Sequence, residues 1–327
     1  MRVFALVLAL MAGMLATWPA ALLAGELWSA GELAAKPGED KPGRLGPVDP
    51  SGPAKPVPER NLPQLPPELR GSIRRVETGG GKLVALTFDL CELSDQRAGY
   101  DGTLVDVLRA QGVAATFFAG GRWMRSHPER TMQLMSDPLF EVGSHAWTHG
   151  NFGVLDPARM REQVEWTQAQ YEIAWEELAA LARERGAQSL MERVPPSIRV
   201  FRFPYGRCRA EALDLLASMG LAAAQWDVNM MDAAKGRTAQ AIARDVLRGV
   251  RPGSIVLGHA NGFGHATAEA LGIIIPELKA RGYRFVTVSR LLASGRAEAS
   301  PECYDSRKGD TAVYDAIYGD GTRHRRR

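Results

Sequence analysis

The sequence predicts an α/β fold built around a parallel sheet. Short apolar runs typical of buried strands alternate with longer stretches of helical periodicity, as in chains whose helices connect parallel strands. The strand-like runs cover 83–88, 114–118, 140–143, 198–202, 222–226, 254–257 and 284–288. The helical stretches cover 102–111, 157–185, 209–219, 238–249 and 267–281. Seven strands suit either a closed barrel or an open doubly wound sheet, and the pattern alone leaves both open.

Composition narrows the class of protein. The chain has 327 residues, of which 45% are hydrophobic and 24% charged, as in ordinary globular proteins. The net charge is only +3, and much of the basic excess lies in the last five residues, 323–327. Because no basic patch or nucleic-acid motif is distributed along the chain, we expect no nucleic-acid partner.

The regions that flank the predicted domain differ from it in composition. Residues 1–24 are apolar after Arg2 and end in small residues, which predicts an export signal peptide; an uncleaved membrane anchor is the alternative. Residues 25–71 hold ten of the 20 prolines and are predicted to be an extended linker. The folded domain is expected at 72–294 and a polar, basic tail at 295–327, where Tyr304, Tyr314 and Tyr318 could dock part of the tail.

Three cysteines in an exported chain allow one disulfide and leave one thiol over. Cys91 and Cys208 both lie beside candidate site residues. We therefore hypothesise a bridge between them.

A pair of histidines follows the strand-like run at 140–143. His145 and His149 are four residues apart, a spacing that places side chains on one face of a helical turn. Two imidazoles so placed could bind one divalent metal, although the pair alone is a weak signal.

Polar side chains also follow the other strand-like runs, and in a parallel barrel such strand ends gather at one face. The residues concerned are Asp89 and Glu92 after the first run, Arg202 and Tyr205 after the fourth, Asp232 after the fifth and His259 after the sixth.

These stretches, in this order, resemble the polysaccharide deacetylases with a NodB homology domain, carbohydrate esterase family 4, over residues 84–292. The resemblance implies a distorted (β/α) barrel of about seven parallel strands. It also implies a divalent metal, which in this family is often Zn²⁺, and removal of N-acetyl groups from an N-acetylglucosamine-containing polymer such as chitooligosaccharide or peptidoglycan. By the same resemblance, His145 and His149 are metal ligands and Asp89 is the general base. Arg202 holds that base, the backbone N–H of Tyr205 faces the oxyanion, and Asp232 pairs with the catalytic His259.

The sequence departs from the family's pattern at the position of one metal ligand. The family has a second aspartate where this chain has Leu90, which cannot bind a metal. Glu92 lies two residues on, on the same side of an extended chain, so we predict Glu92 as the third ligand. The rival is that Asp89 binds the metal and Glu92 is the base.

Two other departures concern the shape of the sugar groove more than the reaction. Asn229 replaces a usual aspartate, and Ala233 replaces a tryptophan that would wall the groove.

Two alternatives to a metal-dependent deacetylase stay open. One is a glycan-binding protein of the same fold that has lost catalysis with the second aspartate, and the other is a metal-independent amidohydrolase.

Overall fold

The computed structural model describes residues 27–323, so the predicted signal peptide lies outside the described residues. Within this range, one sheet contains ten strands. They are β1 Ser72–Glu77, β2 Leu83–Leu90, β3 Ala115–Ala119, β4 Phe140–Ser144, β5 Val200–Phe201, β6 Ala222–Ala224, β7 Val228–Asn229, β8 Ser254–His259, β9 Arg284–Phe285 and β10 Arg296–Ser300.

The sheet closes into a barrel of seven strands in the order β1-β6-β5-β4-β3-β2-β8. Neighbouring strands from β1 round to β8 are parallel. The last step is a single antiparallel bridge between Arg75 of β1 and Ser254 of β8. The barrel prediction is thus confirmed, with a mixed rather than a wholly parallel sheet.

Ten helices lie in the described part of the chain. They are α1 Ala30–Leu33, α2 Gly102–Ala110, α3 Gly121–Ser126, α4 Pro128–Ser136, α5 Pro157–Glu184, α6 Ala210–Ser218, α7 Ala239–Gly249, α8 Thr267–Ala280, α9 Val288–Leu292 and α10 Val313–Tyr318. Side chains cap the N-termini of α2, α5 and α7. Asp101, Asp156 and Thr238 each accept a hydrogen bond from the backbone N–H three residues further along the chain. None of these helices is long and apolar enough to cross a membrane.

Six of the seven predicted strands are barrel strands, whereas the seventh, at 284–288, contains only the short β9 beside β2. The missing barrel strand is β1, whose sequence includes two adjacent arginines. Arg74 donates hydrogen bonds to the carbonyls of Tyr304 and Asp305, and Arg75 pairs with Glu298. The two arginines make β1 unlike a buried strand in the sequence. In the structure their partners, a carboxylate for Arg75 and two backbone carbonyls for Arg74, lie more than 200 positions away.

The proline-rich segment is not the free tether that the sequence predicts. Residues 27–71 contain little regular structure, but Leu27 and Trp28 are buried, and the Trp28 indole donates to Ser136 Oγ at 2.9 Å. Further along, the Asp49 carboxylate pairs with Arg122 at 2.6 Å. Prolines prevent strand pairing, yet these contacts hold the segment along the surface of the barrel.

The region after residue 294 also belongs to the fold. β10 pairs antiparallel with β1, so the sheet extends past the predicted end of the domain. A disulfide then joins Cys208 to Cys303, while Cys91 is a free thiol. The hypothesis of a Cys91–Cys208 bridge is therefore wrong, because Cys303 approaches Cys208 only once the tail has folded back.

Candidate active site

Three potential metal donors meet where β2 and β4 end. The Cys91 thiol and the imidazoles of His145 and His149 place one donor atom each within 4.8 Å of one another. The two histidines follow β4 on a loop rather than a helical turn, contrary to the expectation from their spacing. Ala146 and His149 have positive φ angles of 64° and 59°, and this loop conformation brings the ring centroids to 4.9 Å.

The histidines have the protonation state that a metal ligand needs. Burial lowers the pKa of His145, and burial together with the neighbouring histidines lowers the pKa of His149 well below its usual value, so both rings are neutral at pH 7. His145 Nδ1 lies 2.9 Å from the Arg202 carbonyl oxygen and donates to it. Its Nε2 lone pair is then free for a cation.

Asp89 stands beside this cluster. Its Oδ1 accepts a hydrogen bond from Arg202 Nη1 at 2.9 Å, and its Oδ2 is 3.4 Å from His145 Nε2. Arg202 is fully buried, and its other nitrogens donate to the carbonyls of Ala224 and Gln225. Because a buried guanidinium with all these partners cannot swing away, it fixes the orientation of the Asp89 carboxylate.

His259 and Asp232 form a second polar pair. Asp232 Oδ1 is 2.8 Å from His259 Nδ1, while its Oδ2 accepts from the His259 backbone N–H and from Thr267 Oγ1, both at 2.8 Å. Burial disfavours the charged imidazolium, but the Asp232 carboxylate outweighs it and raises the pKa of His259 above its usual value. Asp232 thus engages Nδ1 of the ring, and His259 lines the pocket described below.

Glu92 does not belong to the cluster, which corrects the prediction of Glu92 as third ligand. Its Oε2 accepts from the Ala98 backbone N–H at 3.0 Å and from Ser126 Oγ at 2.7 Å, and Arg122 Nε lies 3.7 Å from its Oε1. The prediction extended strand alternation to residue 92, but β2 ends at Leu90, and the chain turns there.

Cys91 is the donor that the sequence reasoning missed, having considered it only for a disulfide. Asn261 is fully buried and donates both to the Cys91 carbonyl at 3.1 Å and to its sulfur at 2.9 Å. Burial raises the pKa of the thiol to about 12, so the proton leaves readily only when a cation replaces it. Two imidazole nitrogens and one sulfur suit Zn²⁺, with a fourth position left for a reactant.

A pocket of about 300 Å³ opens beside these groups and is lined by Asp89, His149, Tyr205 and His259. Tyr205 has a φ of 60°, which turns the chain sharply after β5, and its ring centroid lies 4.4 Å from that of His149. The structure therefore brings seven of the eight predicted site residues to one place. Glu92 is the exception.

A family model described as polysaccharide deacetylase matches residues 77–183, a range that contains Asp89, His145 and His149. Over this third of the chain, the sequence matches the polysaccharide deacetylases. A peptidoglycan-N-acetylglucosamine deacetylase of Bacillus cereus is 28% identical over 215 residues, which cover 65% of this chain and 69% of that protein. A chitooligosaccharide deacetylase of a Bradyrhizobium species is 28% identical over 228 residues, which cover 66% of this chain and 93% of that one. The prediction of a polysaccharide N-deacetylase is thus confirmed at the level of the family.

Among solved structures, a carbohydrate esterase family 4 pseudoenzyme from Bacillus anthracis aligns with a TM-score of 0.55 and 26% identity. The alignment covers 69% of this chain and 70% of that chain. A mutant of that pseudoenzyme with restored enzymatic activity aligns with a TM-score of 0.56 at the same identity, covering 69% of this chain and 73% of that chain. The shared fold therefore occurs in both active and inactive proteins.

Proposed function

We propose that the protein is an exported, metal-dependent hydrolase that removes N-acetyl groups from an N-acetylglucosamine-containing polysaccharide of the peptidoglycan or chitooligosaccharide type. The observation that carries the proposal is the convergence of a metal-binding triad, a carboxylate and a carboxylate-paired histidine on one pocket. Related proteins named for both substrates support this substrate class.

His145, His149 and Cys91 would hold the metal. Bound there, a divalent cation would supply Lewis-acid chemistry for the acetamide carbonyl and the attacking water. The softer thiolate takes the place of the carboxylate that Leu90 cannot supply.

Protein groups in the pocket would carry out the proton transfers and stabilise the charge that develops during the reaction. Asp89, fixed by Arg202, accepts the proton of the attacking water. The backbone N–H of Tyr205 donates to the oxygen that becomes negatively charged. His259, charged through its contact with Asp232, gives its proton to the departing amine of the sugar.

A glycan-binding protein without catalysis is the second candidate, because the family's carboxylate is missing at Leu90 and a pseudoenzyme shares the fold. A metal-independent amidohydrolase is the third. The two alternatives predict, respectively, no acetate release and acetate release that survives complete chelation.

The experiment combines acetate release from chitotetraose and from peptidoglycan with metal analysis of the purified protein. We expect one equivalent of zinc and acetate release that a chelator abolishes. Cys91→Ser removes a donor atom and should weaken zinc binding by more than the roughly 10- to 100-fold typical for loss of a residue that only supports a ligand, whereas Glu92→Gln should leave the affinity and stoichiometry unchanged. Cobalt-loaded protein should show a thiolate-to-cobalt absorption band that Cys91→Ser removes. Unchanged zinc affinity in Cys91→Ser, or its loss in Glu92→Gln, would refute this ligand set.

Export is proposed from residues 1–24 and from the envelope location of peptidoglycan. The mature protein, recovered from a fractionated culture, should begin between residues 21 and 25. An intact N-terminus found in the membrane fraction would instead indicate an uncleaved anchor.

A further inference from the structure

We propose that Tyr314 and Tyr318, from the C-terminal segment 303–322, form the wall of the pocket against which a pyranose ring of the substrate stacks. This inference rests on the proposed function of the same pocket and adds the residues that select its substrate.

The two tyrosines continue an aromatic surface that begins at the metal centre. The ring of Tyr205 lies between His149, at 4.4 Å, and Tyr318, at 4.8 Å, with the two tyrosine planes inclined by 17°. Tyr314 lies 5.5 Å from Tyr318, and both rings line the pocket that contains Asp89 and His259. A sugar bound beside His149 in this pocket would therefore lie next to these rings.

The segment that carries the tyrosines is anchored on both sides of α10. The Cys208–Cys303 disulfide fixes its start. On α10 itself, Asp315 pairs with Arg207 at 2.7 Å and accepts from Asn151 at 3.1 Å. After the helix, the Asn151 backbone N–H donates to the Asp320 carbonyl at 2.7 Å. A segment held by these contacts presents its aromatic rings in a fixed geometry.

A glycine brings the end of the segment close to the catalytic loop. Gly321 has a φ of 72°, and a Cβ there would lie 3.0 Å from the His149 carbonyl oxygen and 2.7 Å from the ring of Tyr205. A larger residue could not pack against the loop at this distance. The C-terminal segment that carries the wall therefore packs directly against the loop that carries His149.

The chemistry of the wall suits a sugar. Tyr318 is 41% exposed although it is large and partly apolar and contacts Tyr205 and Tyr314, so part of its surface stays open to a ligand. The pocket is also lined by Ala233, where the family has a tryptophan, so the tyrosines supply aromatic surface that this position lacks. A volume of about 300 Å³ lies at the lower end of the range for small-ligand sites and suits one sugar unit.

The test measures binding and turnover separately. Calorimetric affinity for chitotetraose and the kinetics of acetate release are compared for the unmodified protein, Tyr314→Ala, Tyr318→Ala and Tyr318→Phe. Ile317→Ala is the matched control, because this residue lies on the same helix, is 44% exposed and does not line the pocket.

Each alanine variant should raise Kd and KM about tenfold with little change in kcat. Tyr318→Phe keeps the aromatic ring, so its Kd and KM should equal those of the unmodified protein. Ile317→Ala should change neither Kd nor KM. Unchanged Kd in both alanine variants, an equal loss in Ile317→Ala, or no binding by the unmodified protein would overturn the proposal. Tetramer binding that depends on the tyrosines without any acetate release would leave the wall standing and refute the deacetylase instead.

Discussion

Replacing Cys303 with serine removes a covalent link that closes a long loop. Cys208 and Cys303 are 95 residues apart in the sequence, and their bridge restricts the unfolded chain over this distance. The chain-entropy relation gives about 4.7 kcal/mol at 25 °C for a loop of roughly 100 residues. We therefore expect Cys303→Ser to lower the free energy of unfolding by about 3–5 kcal/mol.

Urea unfolding of metal-free protein, followed by tryptophan fluorescence, measures this loss. Cys208→Ser should cost the same amount, and the double variant should cost no more than either single variant, because the loop is lost only once. Cys91→Ser is the matched control, since it removes a thiol that closes no loop. Adding a reductant to the unmodified protein should reproduce the loss.

Two results would contradict this reasoning. One is a thiol titration of denatured, unreduced protein that counts three free thiols instead of one. The other is a loss below about 1 kcal/mol in Cys303→Ser, which would mean that the unfolded chain is not restricted by the bridge as the loop length requires.

Two further predictions concern the acid and the N-terminal segment. The proposed general acid, His259, must be protonated, so activity should fall as the pH rises through its raised pKa. Asp232→Asn should move this fall in activity to lower pH. A pH–rate profile that Asp232→Asn leaves unchanged would contradict the assignment. Trp28→Ala should lower the free energy of unfolding by about 3–5 kcal/mol, because the buried indole packs beside Ser136. An unchanged urea midpoint would show that this segment is not docked in solution.

The sequence by itself determined the class of fold and most of the residues that meet at the candidate site. Alternating strand-like and helical runs are local patterns, so they indicate buried strands and surface helices without knowledge of the partner elements. The polar residues that follow these strands, such as Asp89, His145 and His259, meet at one end of the barrel because parallel strands share their direction.

The tertiary structure decided whatever depends on contacts between distant residues. The arginines of β1 find their partners near position 300, and Cys303 rather than Cys91 reaches Cys208 only after the tail folds back. The third metal donor depended on where β2 stops: the chain turns after Leu90, so Cys91 faces the histidines and Glu92 faces Ser126. The alternation of side chains predicts which residues share a face within a strand. It does not predict the direction in which the chain turns after the last residue of the strand.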